Sequence, residues 1–180
     1  MEKNLLAIKN QCLNCQKCQL AKTRNNIVFG AGSEKAKIFF IGEAPGKDED
    51  LAGKPFVGRS GKFLDEMLTE INLKREDVFI ANVLKCRPPK NRDPLPEEIK
   101  ICLPFLKQQI VTISPKVIVT LGRFSMNLFF PNAKISAIHG IPKKFNNYTV
   151  VPFFHPAAAL FDGSKREILK KDFQILRKFL

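Results

Sequence analysis

Four short apolar runs, separated by helical patterns, constrain the fold of this 180-residue chain more than any other feature. They are rich in β-branched and aromatic residues, as buried strands are. The runs cover residues 37–41, 78–84, 116–121 and 149–154. Strands that alternate with helices build βαβ units, which place parallel strands in one sheet with helices on both faces. The sequence therefore predicts a single α/β domain over residues 1–180, with three α/β/α layers around a four-stranded, mainly parallel sheet.

Polar side chains stand where these predicted strands end. The first run leads into Gly42 and Glu43, the second contains Asn82 near its end, and the fourth leads into His155. Open α/β sheets bind ligands at the carboxyl ends of their strands. We therefore expect Glu43, Asn82 and His155 to share one pocket, with the GEAPGKDED loop bending over it.

The net charge indicates a class of partner. Thirty Lys and Arg residues against seventeen Asp and Glu residues give a formal charge of +13. Such an excess favours a polyanion, and nucleic acid before a membrane, because no basic amphipathic helix stands out. A solvated, lysine-rich surface is the alternative interpretation. No apolar run approaches the roughly 18 residues of a membrane span, and the N-terminus lacks a signal-peptide pattern, so we expect a cytoplasmic protein without a membrane contact.

The five cysteines favour a metal centre over disulfides, because disulfides are rare in a reducing cytosol and the count is odd. Three of them stand at three-residue intervals in CLNCQKC, residues 12–18, and the others are Cys86 and Cys102. The bacterial ferredoxin pattern fails, because position 22 is Lys22 instead of a fourth cysteine. A zinc ribbon expects a second close pair of cysteines, which is missing here.

A four-iron cluster accepts ligands from separated segments. Two thiolates from the CLNCQKC segment, called the N-terminal knuckle below, therefore form a plausible set with Cys86 and Cys102. Burial of the cysteines as small apolar side chains is the alternative. Spacing alone does not decide whether the knuckle contributes Cys12 and Cys15 or Cys15 and Cys18.

Taken together, the cysteines and the strand-end motifs resemble the iron-sulfur (family 4) uracil-DNA glycosylases of the uracil-DNA glycosylase superfamily. The resemblance extends over nearly the whole chain, in the family's order. Its segments are CQKCQL, VFGAGS, IGEAPGKDEDLAGKPFVGRSGKFLD, IANVLKCRPPKNRDPLPEE, KIC, VIVTLG and FHPA. It implies a uracil-DNA glycosylase-like fold and a monofunctional DNA repair hydrolase. This enzyme would flip uracil out of DNA and hydrolyse its N-glycosidic bond, leaving an abasic site for base excision repair.

The resemblance also implies one [4Fe-4S] cluster per chain. In the family, the second knuckle cysteine precedes x-L, which assigns Cys15 and Cys18 as ligands together with Cys86 and Cys102. Cys12 is then left over. Such a cluster would act as a clip that ties the N-terminal helix to the loop after the second predicted strand.

For the pocket, the resemblance implies that the first motif lines the uracil site through Gly42, Glu43 and Ala44. Ala44 stands where other branches of the superfamily have a catalytic Asp. Glu43 and Glu49 are therefore the candidates for activating the hydrolytic water. Glu49 is also a candidate for excluding the methyl group of thymine.

Further residues take roles that suit an extruded base, which is stacked on an aromatic ring and read at its Watson-Crick edge. The resemblance implies that Phe56 stacks on uracil, Asn82 reads its polar edge and His155 donates to a uracil carbonyl. Asn91 matches a motif position with a weaker role. Leu160 or Phe161 is a candidate wedge for the space that the flipped base leaves.

The expected partner is uracil-containing DNA, single- or double-stranded, bound by a monomer, and a sliding clamp is a further candidate. Two alternatives remain to be separated by experiment. One is a non-catalytic iron-sulfur protein that only binds DNA. The other is the branch that links itself covalently to uracil, but its histidine-bearing insertion after the second strand is missing from VLKCRPPKNRDP.

Overall fold

The computed structural model describes residues 4–180, and a twisted sheet runs through its centre. Within these residues the sheet has six strands, which are β1 (Ala31–Gly32), β2 (Ile38–Gly42), β3 (Phe79–Asn82), β4 (Val117–Leu121), β5 (Lys143–Phe145) and β6 (Tyr148–Phe153). Their order across the sheet is β1-β3-β2-β4-β6-β5. The four central strands, β3, β2, β4 and β6, are parallel to one another, which confirms the predicted mainly parallel core.

The prediction of only four strands is wrong, because an antiparallel strand is added at each edge. Strand β1 has two residues, both exposed, and β5 has three residues with two of them exposed. Edge strands this short and polar have neither the apolar run nor the alternation that marks a strand in a sequence.

Helices cover both faces of the sheet. In chain order they are α1 (Leu5–Leu13), α2 (Lys47–Ala52), α3 (Arg59–Glu70), α4 (Pro96–Ile113), α5 (Arg123–Asn127), α6 (Ile135–Ile138) and α7 (Gly163–Ile175). None of the helices within residues 4–180 has both the length and the apolar character that crossing a bilayer requires.

Alternate residues of each strand divide the interior into two cores, because successive side chains point to opposite faces of a sheet. On β2, Phe40 packs with α3 and α7, while Phe39 and Ile41 pack with α1 and α4. Both cores share the one sheet, so the described chain is a single three-layer α/β/α domain, as the sequence predicts.

The parallel strands bring their carboxyl ends to one edge of the sheet. Gly42 at the end of β2 lies opposite Asn82 at the end of β3. Pairing continues for two residues beyond, where Val83 and Leu84 donate their N–H groups to the carbonyls of Gly42 and Glu43. This continued ladder fixes the backbone from which the candidate site is built.

Candidate active site

A cavity of about 480 Å³ opens at the carboxyl ends of β2, β3 and β6, within the size range of ligand-binding clefts. Seven of the residues singled out in the sequence line it: Glu43, Ala44, Glu49, Phe56, Asn82, Asn91 and His155. The structure thus brings together segments that are far apart in the sequence, from Glu43 to His155. The lining also includes Pro45 and Gly46 of the predicted GEAPGKDED loop, together with four residues to which the sequence assigned no role, namely Ser60, Pro88, Arg92 and Ala157.

Gly42 lies beneath this cavity, where only a glycine fits. A Cβ atom added to Gly42 would overlap both the Asn82 side-chain oxygen and the Phe56 ring. Gly42 therefore allows the amide and the aromatic ring to approach each other over the end of β2.

His155 is a neutral imidazole at physiological pH. Burial lowers its pKa from the ordinary value of 6.5 to about 4, although the Glu49 carboxylate acts in the opposite direction. The Nδ1 atom accepts a hydrogen bond from the backbone N–H of Ala157 at 3.1 Å. In a neutral ring with an accepting Nδ1, the proton resides on Nε2. His155 can therefore donate a hydrogen bond from Nε2 without carrying a charge.

Phe56 presents its ring beside this imidazole. The two ring centroids are 5.6 Å apart with an interplanar angle of 25°. The Phe56 backbone has a φ of +52°, in the left-handed region that bulky residues rarely adopt. A strained conformation of this kind persists only where its surroundings hold it in place.

Glu49 is hydrogen-bonded to the loop that carries Phe56. One carboxylate oxygen accepts from the N–H of Gly46 at 3.1 Å, and the other accepts from Val57 at 3.0 Å and Gly58 at 2.9 Å. Three backbone donors thus occupy the two oxygens. Glu49 closes the first turn of α2 onto the start of α3 and so shapes the cavity wall.

Burial raises the pKa of Glu43 above the ordinary value, and the nearby Asp93 carboxylate adds to this shift. Arg123 acts in the opposite direction and forms an ion pair with Asp93 at the rim. A carboxylate with a raised pKa binds a proton more readily than an exposed one, which is the property of a general base.

Asn82 is buried at the end of β3. Its backbone carbonyl accepts a hydrogen bond of 2.9 Å from the Lys85 ammonium, which also donates to Gln109 on α4 at 2.7 Å. Burial lowers the pKa of Lys85 to about 8. The Asn82 backbone is therefore anchored to the interior while its side chain lines the cavity.

The opposite rim of the cavity is the loop of residues 88–92. Lys90 and Asn91 both have positive φ angles, 53° and 54°, so this loop turns sharply. The Asn91 side-chain oxygen accepts from Arg87 Nε at 2.7 Å, and Arg92 forms a two-pronged ion pair with Glu98 at the start of α4. Basic side chains are thereby held close to the cavity entrance.

The cysteines gather in a second region, between α1, α4 and the loop after β3. Cys15, Cys18 and Cys102 are partly exposed beside a core that includes Cys86 and Cys12. Burial raises the pKa of Cys102, and charges on Cys15 and Cys18 would raise it further, so these thiols lie within electrostatic range of one another. Within residues 4–180, no three His, Cys, Asp or Glu side chains lie close enough to bind a single metal ion.

Two N–H donors point at these sulfur atoms. Arg24 donates from one nitrogen to Cys86 Sγ at 3.4 Å and from another to the Cys15 carbonyl at 2.8 Å. The backbone N–H of Lys85 donates to Cys102 Sγ at 3.3 Å. By contrast, Cys12 is almost fully buried, and burial raises its pKa to about 12.

The fold and the cavity define a class of protein, an α/β protein with a strand-end pocket that suits one small, flat, polar ligand. The chain belongs to the uracil DNA glycosylase superfamily, because the model of that family matches residues 29–178. A type-4 uracil-DNA glycosylase from Saccharolobus solfataricus is 47% identical, over 98% of this chain and 87% of the relative. One from Archaeoglobus fulgidus is 48% identical over 93% and 88%. One from Thermotoga maritima is 41% identical over 96% and 93%.

Proposed function

We propose that this chain is a uracil-DNA glycosylase that hydrolyses the N-glycosidic bond between uracil and deoxyribose in DNA. The observation that carries the proposal is the neutral His155, whose Nε2–H is available in a cavity shared with an amide and an aromatic ring. The membership in the superfamily and the names of the type-4 relatives support the same reaction.

In the proposed complex, uracil stacks on the Phe56 ring and the Asn82 amide reads its polar edge. An amide offers both a donor and an acceptor, as uracil's edge requires, whereas cytosine presents a different pattern. Binding in this cavity requires that the base leave the helix stack, which is the usual route for enzymes that act on a base.

Bond cleavage transfers the electron pair of the glycosidic bond to uracil and leaves positive charge on the sugar. The His155 Nε2–H stabilises the negative charge on a uracil carbonyl, as a preorganised neutral donor does in an oxyanion hole. Water then adds to the sugar carbon, and a general base takes its proton. Glu43 suits this role because of its raised pKa, while the hydrogen bonds of Glu49 favour a role in shaping the loop.

We also propose a [4Fe-4S] cluster held by Cys15, Cys18, Cys86 and Cys102. The four thiols suit it, because they come from three separate segments and two of the sulfur atoms receive N–H hydrogen bonds of the kind that stabilise thiolates. A single zinc ion needs thiolates only about 3.8 Å apart, given its tetrahedral bonds of about 2.3 Å, whereas a four-iron cube holds them farther apart. When bound, the cluster would cross-link α1, α4 and the loop after β3.

The basic surface supports DNA as the substrate, since Lys and Arg side chains supply phosphate contacts and make binding depend strongly on salt. The expectations of a monomer, of a cytoplasmic location and of recruitment by a sliding clamp stay predictions.

The test is release of free uracil from a uracil-containing oligonucleotide, followed by alkaline cleavage at the abasic site. We expect the parent protein to produce both signals. His155→Ala removes the donor and should lower the single-turnover rate roughly 100- to 1,000-fold. Asn82→Asp should cause a loss of similar size, because a carboxylate faces a uracil carbonyl that needs a donor.

Asn146→Asp, in the turn between β5 and β6 and outside the cavity lining, is the matched control and should excise like the parent. Retention of DNA in a gel without an alkali-labile site would instead favour the non-catalytic alternative. A mass increase equal to bound uracil-DNA would favour the covalent one.

A further inference from the structure

Phe56 is held from both sides in a conformation that its own backbone disfavours. Its φ of +52° is in the left-handed region, yet the residue is almost completely buried. Gly61, in the first turn of α3, lies so close that an added Cβ would overlap the Phe56 carbonyl. The chain therefore turns tightly from Phe56 into α3, and this turn sets the direction of the ring.

A single guanidinium holds the carbonyl side of this turn. Arg75, in the short 3₁₀ turn before β3, donates to the Pro55 carbonyl at 2.9 Å, to the Phe56 carbonyl and to the Gly61 carbonyl at 3.3 Å. Its Nε donates to the Asp65 carboxylate on α3, which orients the planar group. A guanidinium presents its donors in a fixed fork, so these contacts define one geometry in a way that a lysine cannot.

The Glu49 carboxylate holds the amide side of the same turn. It accepts the N–H groups of Val57 and Gly58, the two residues that follow Phe56. The peptide groups before and after the ring are thus fixed by opposite charges from two distant parts of the chain. Glu49 lines the cavity, whereas Arg75 does not.

We propose that Arg75 is a positioning residue for base stacking, which acts on uracil only through the Phe56 backbone. This inference rests on the proposed function for the role of Phe56. Without the guanidinium, the strained turn relaxes toward a negative φ and the ring leaves the plane on which the base stacks. Only a fraction of the molecules then has a competent pocket, and the apparent affinity for substrate falls by that fraction.

The variant Arg75→Met keeps most of the side-chain bulk and removes every donor. We expect kcat/KM for uracil excision to fall about tenfold, which corresponds to about 1.4 kcal/mol. In a Phe56→Ala background the same substitution should cause almost no further loss, because contacts that act through one ring are not additive. Losses that multiply in the double variant, or a single variant that excises like the parent, would overturn the proposal.

Arg166→Met is the matched control. Arg166 also binds a carboxylate of α3, at Glu66, and packs on Phe63, but it makes no hydrogen bond to the Phe56 turn. It should leave excision unchanged and lose a comparable amount of thermal stability. Where Arg75→Met fails to fold, Arg75→Lys serves instead, with a smaller loss in the same direction.

A second measurement does not require catalysis. The chain has two histidines, and the Phe56 ring is stacked near His155 while His139 pairs with Asp172 elsewhere. In the NMR spectrum, Arg75→Met should shift the ring protons of His155 and leave those of His139 in place. Unmoved His155 signals would overturn the inference even if no uracil were released. If the signals move and the parent releases no uracil, only the proposed function fails.

Discussion

The pocket and the cysteine corner, which is the region of Cys12, Cys15, Cys18, Cys86 and Cys102, are both assembled from distant segments, but the chain stabilises them differently. In the pocket, protein hydrogen bonds already orient the groups: Ala157 fixes the His155 ring, and three backbone donors fix Glu49. In the cysteine corner, by contrast, several thiol groups lie near one another. Burial raises the pKa of Cys86 to about 11, and neighbouring thiols add to this shift while Arg24 opposes it.

Because of this difference, we expect substitutions in the two regions to affect different properties of the protein. A preorganised pocket does not reorganise when charge develops in the transition state, so a change there should affect rate more than stability. Thiols that repel one another when ionised gain most from a shared positive centre, so a change in the corner should affect folding first.

The largest effect is expected in the corner. Cys102→Ala should abolish the visible absorption near roughly 400 nm that a thiolate-bound iron-sulfur cluster gives. It should also lower the free energy of unfolding by about 3 kcal/mol or more, because a structural metal centre contributes folding energy directly. Absorption spectra and urea unfolding of the anaerobically purified protein measure both quantities.

Cys12→Ala is the matched control within the same cluster of cysteines. Cys12 is almost fully buried on α1, so the variant should keep the visible absorption and lose only about 1 to 2 kcal/mol from the small cavity. If Cys12→Ala removes the absorption and Cys18→Ala does not, the knuckle ligands are Cys12 and Cys15. The proposed ligand set would then be wrong.

The same contrast explains what the sequence could predict. The sequence predicts every end of the four central strands to within two residues, because a strand buried on both faces is a continuous apolar run in the sequence. Their common direction brought Glu43, Asn82 and His155 to one cavity, and this expectation was confirmed. The parallel topology alone was therefore sufficient to predict which residues near the strand ends share the pocket.

Long-range support for the pocket was not predictable in this way. The left-handed turn at Phe56 depends on Arg75, Glu49 and Gly61, and no local pattern marks a phenylalanine for positive φ. Charged residues such as Glu49 in a short helix and Arg75 in a 3₁₀ turn are expected from sequence to be solvated. Their hydrogen bonds to the backbone of the Phe56 turn become visible only in three dimensions. The sequence did not predict the edge strands for a related reason, because most of their residues are exposed.

A second prediction concerns the pH dependence of stability, and it tests the buried state of His155. The pKa of His155 is about 4 in the folded chain, against about 6.5 when the chain is unfolded. Between these values the unfolded chain binds one more proton, so stability falls as the pH falls from 6.5 to 4. Above 6.5 the contribution is fully present, and below 4 no further loss arises from this group.

This loss is at most about 3 kcal/mol, and less where pocket water screens the partly exposed ring. The measurement compares urea unfolding of the parent and of His155→Asn across pH 7 to 4. Carboxylates and the His139–Asp172 pair contribute to both proteins and largely cancel in the difference. A constant difference across this range would show that the imidazole is solvated, and the pocket would then lack the preorganised neutral donor.

The smallest expected effect lies at the end of the 3₁₀ turn that follows His155, where a hydrophobic side chain is left in solvent. The turn that begins at His155 ends at Phe161, which is 85% exposed, while the adjacent Leu160 packs against the core. This difference favours Phe161 as the wedge that replaces a flipped base in the stack. Phe161→Ala should slow excision from double-stranded DNA about tenfold, the cost of roughly one stacking contact.

Excision from single-stranded DNA should remain unchanged in Phe161→Ala, because a single strand has no base pair to open. Val111→Ala on α4 removes another exposed apolar side chain, far along the sequence from the pocket segments, and should alter neither substrate. An equal loss on both substrates would assign Phe161 to general DNA contact instead of wedging. Leu160, the other candidate for the wedge, would then be the next residue to substitute, although it packs against the core.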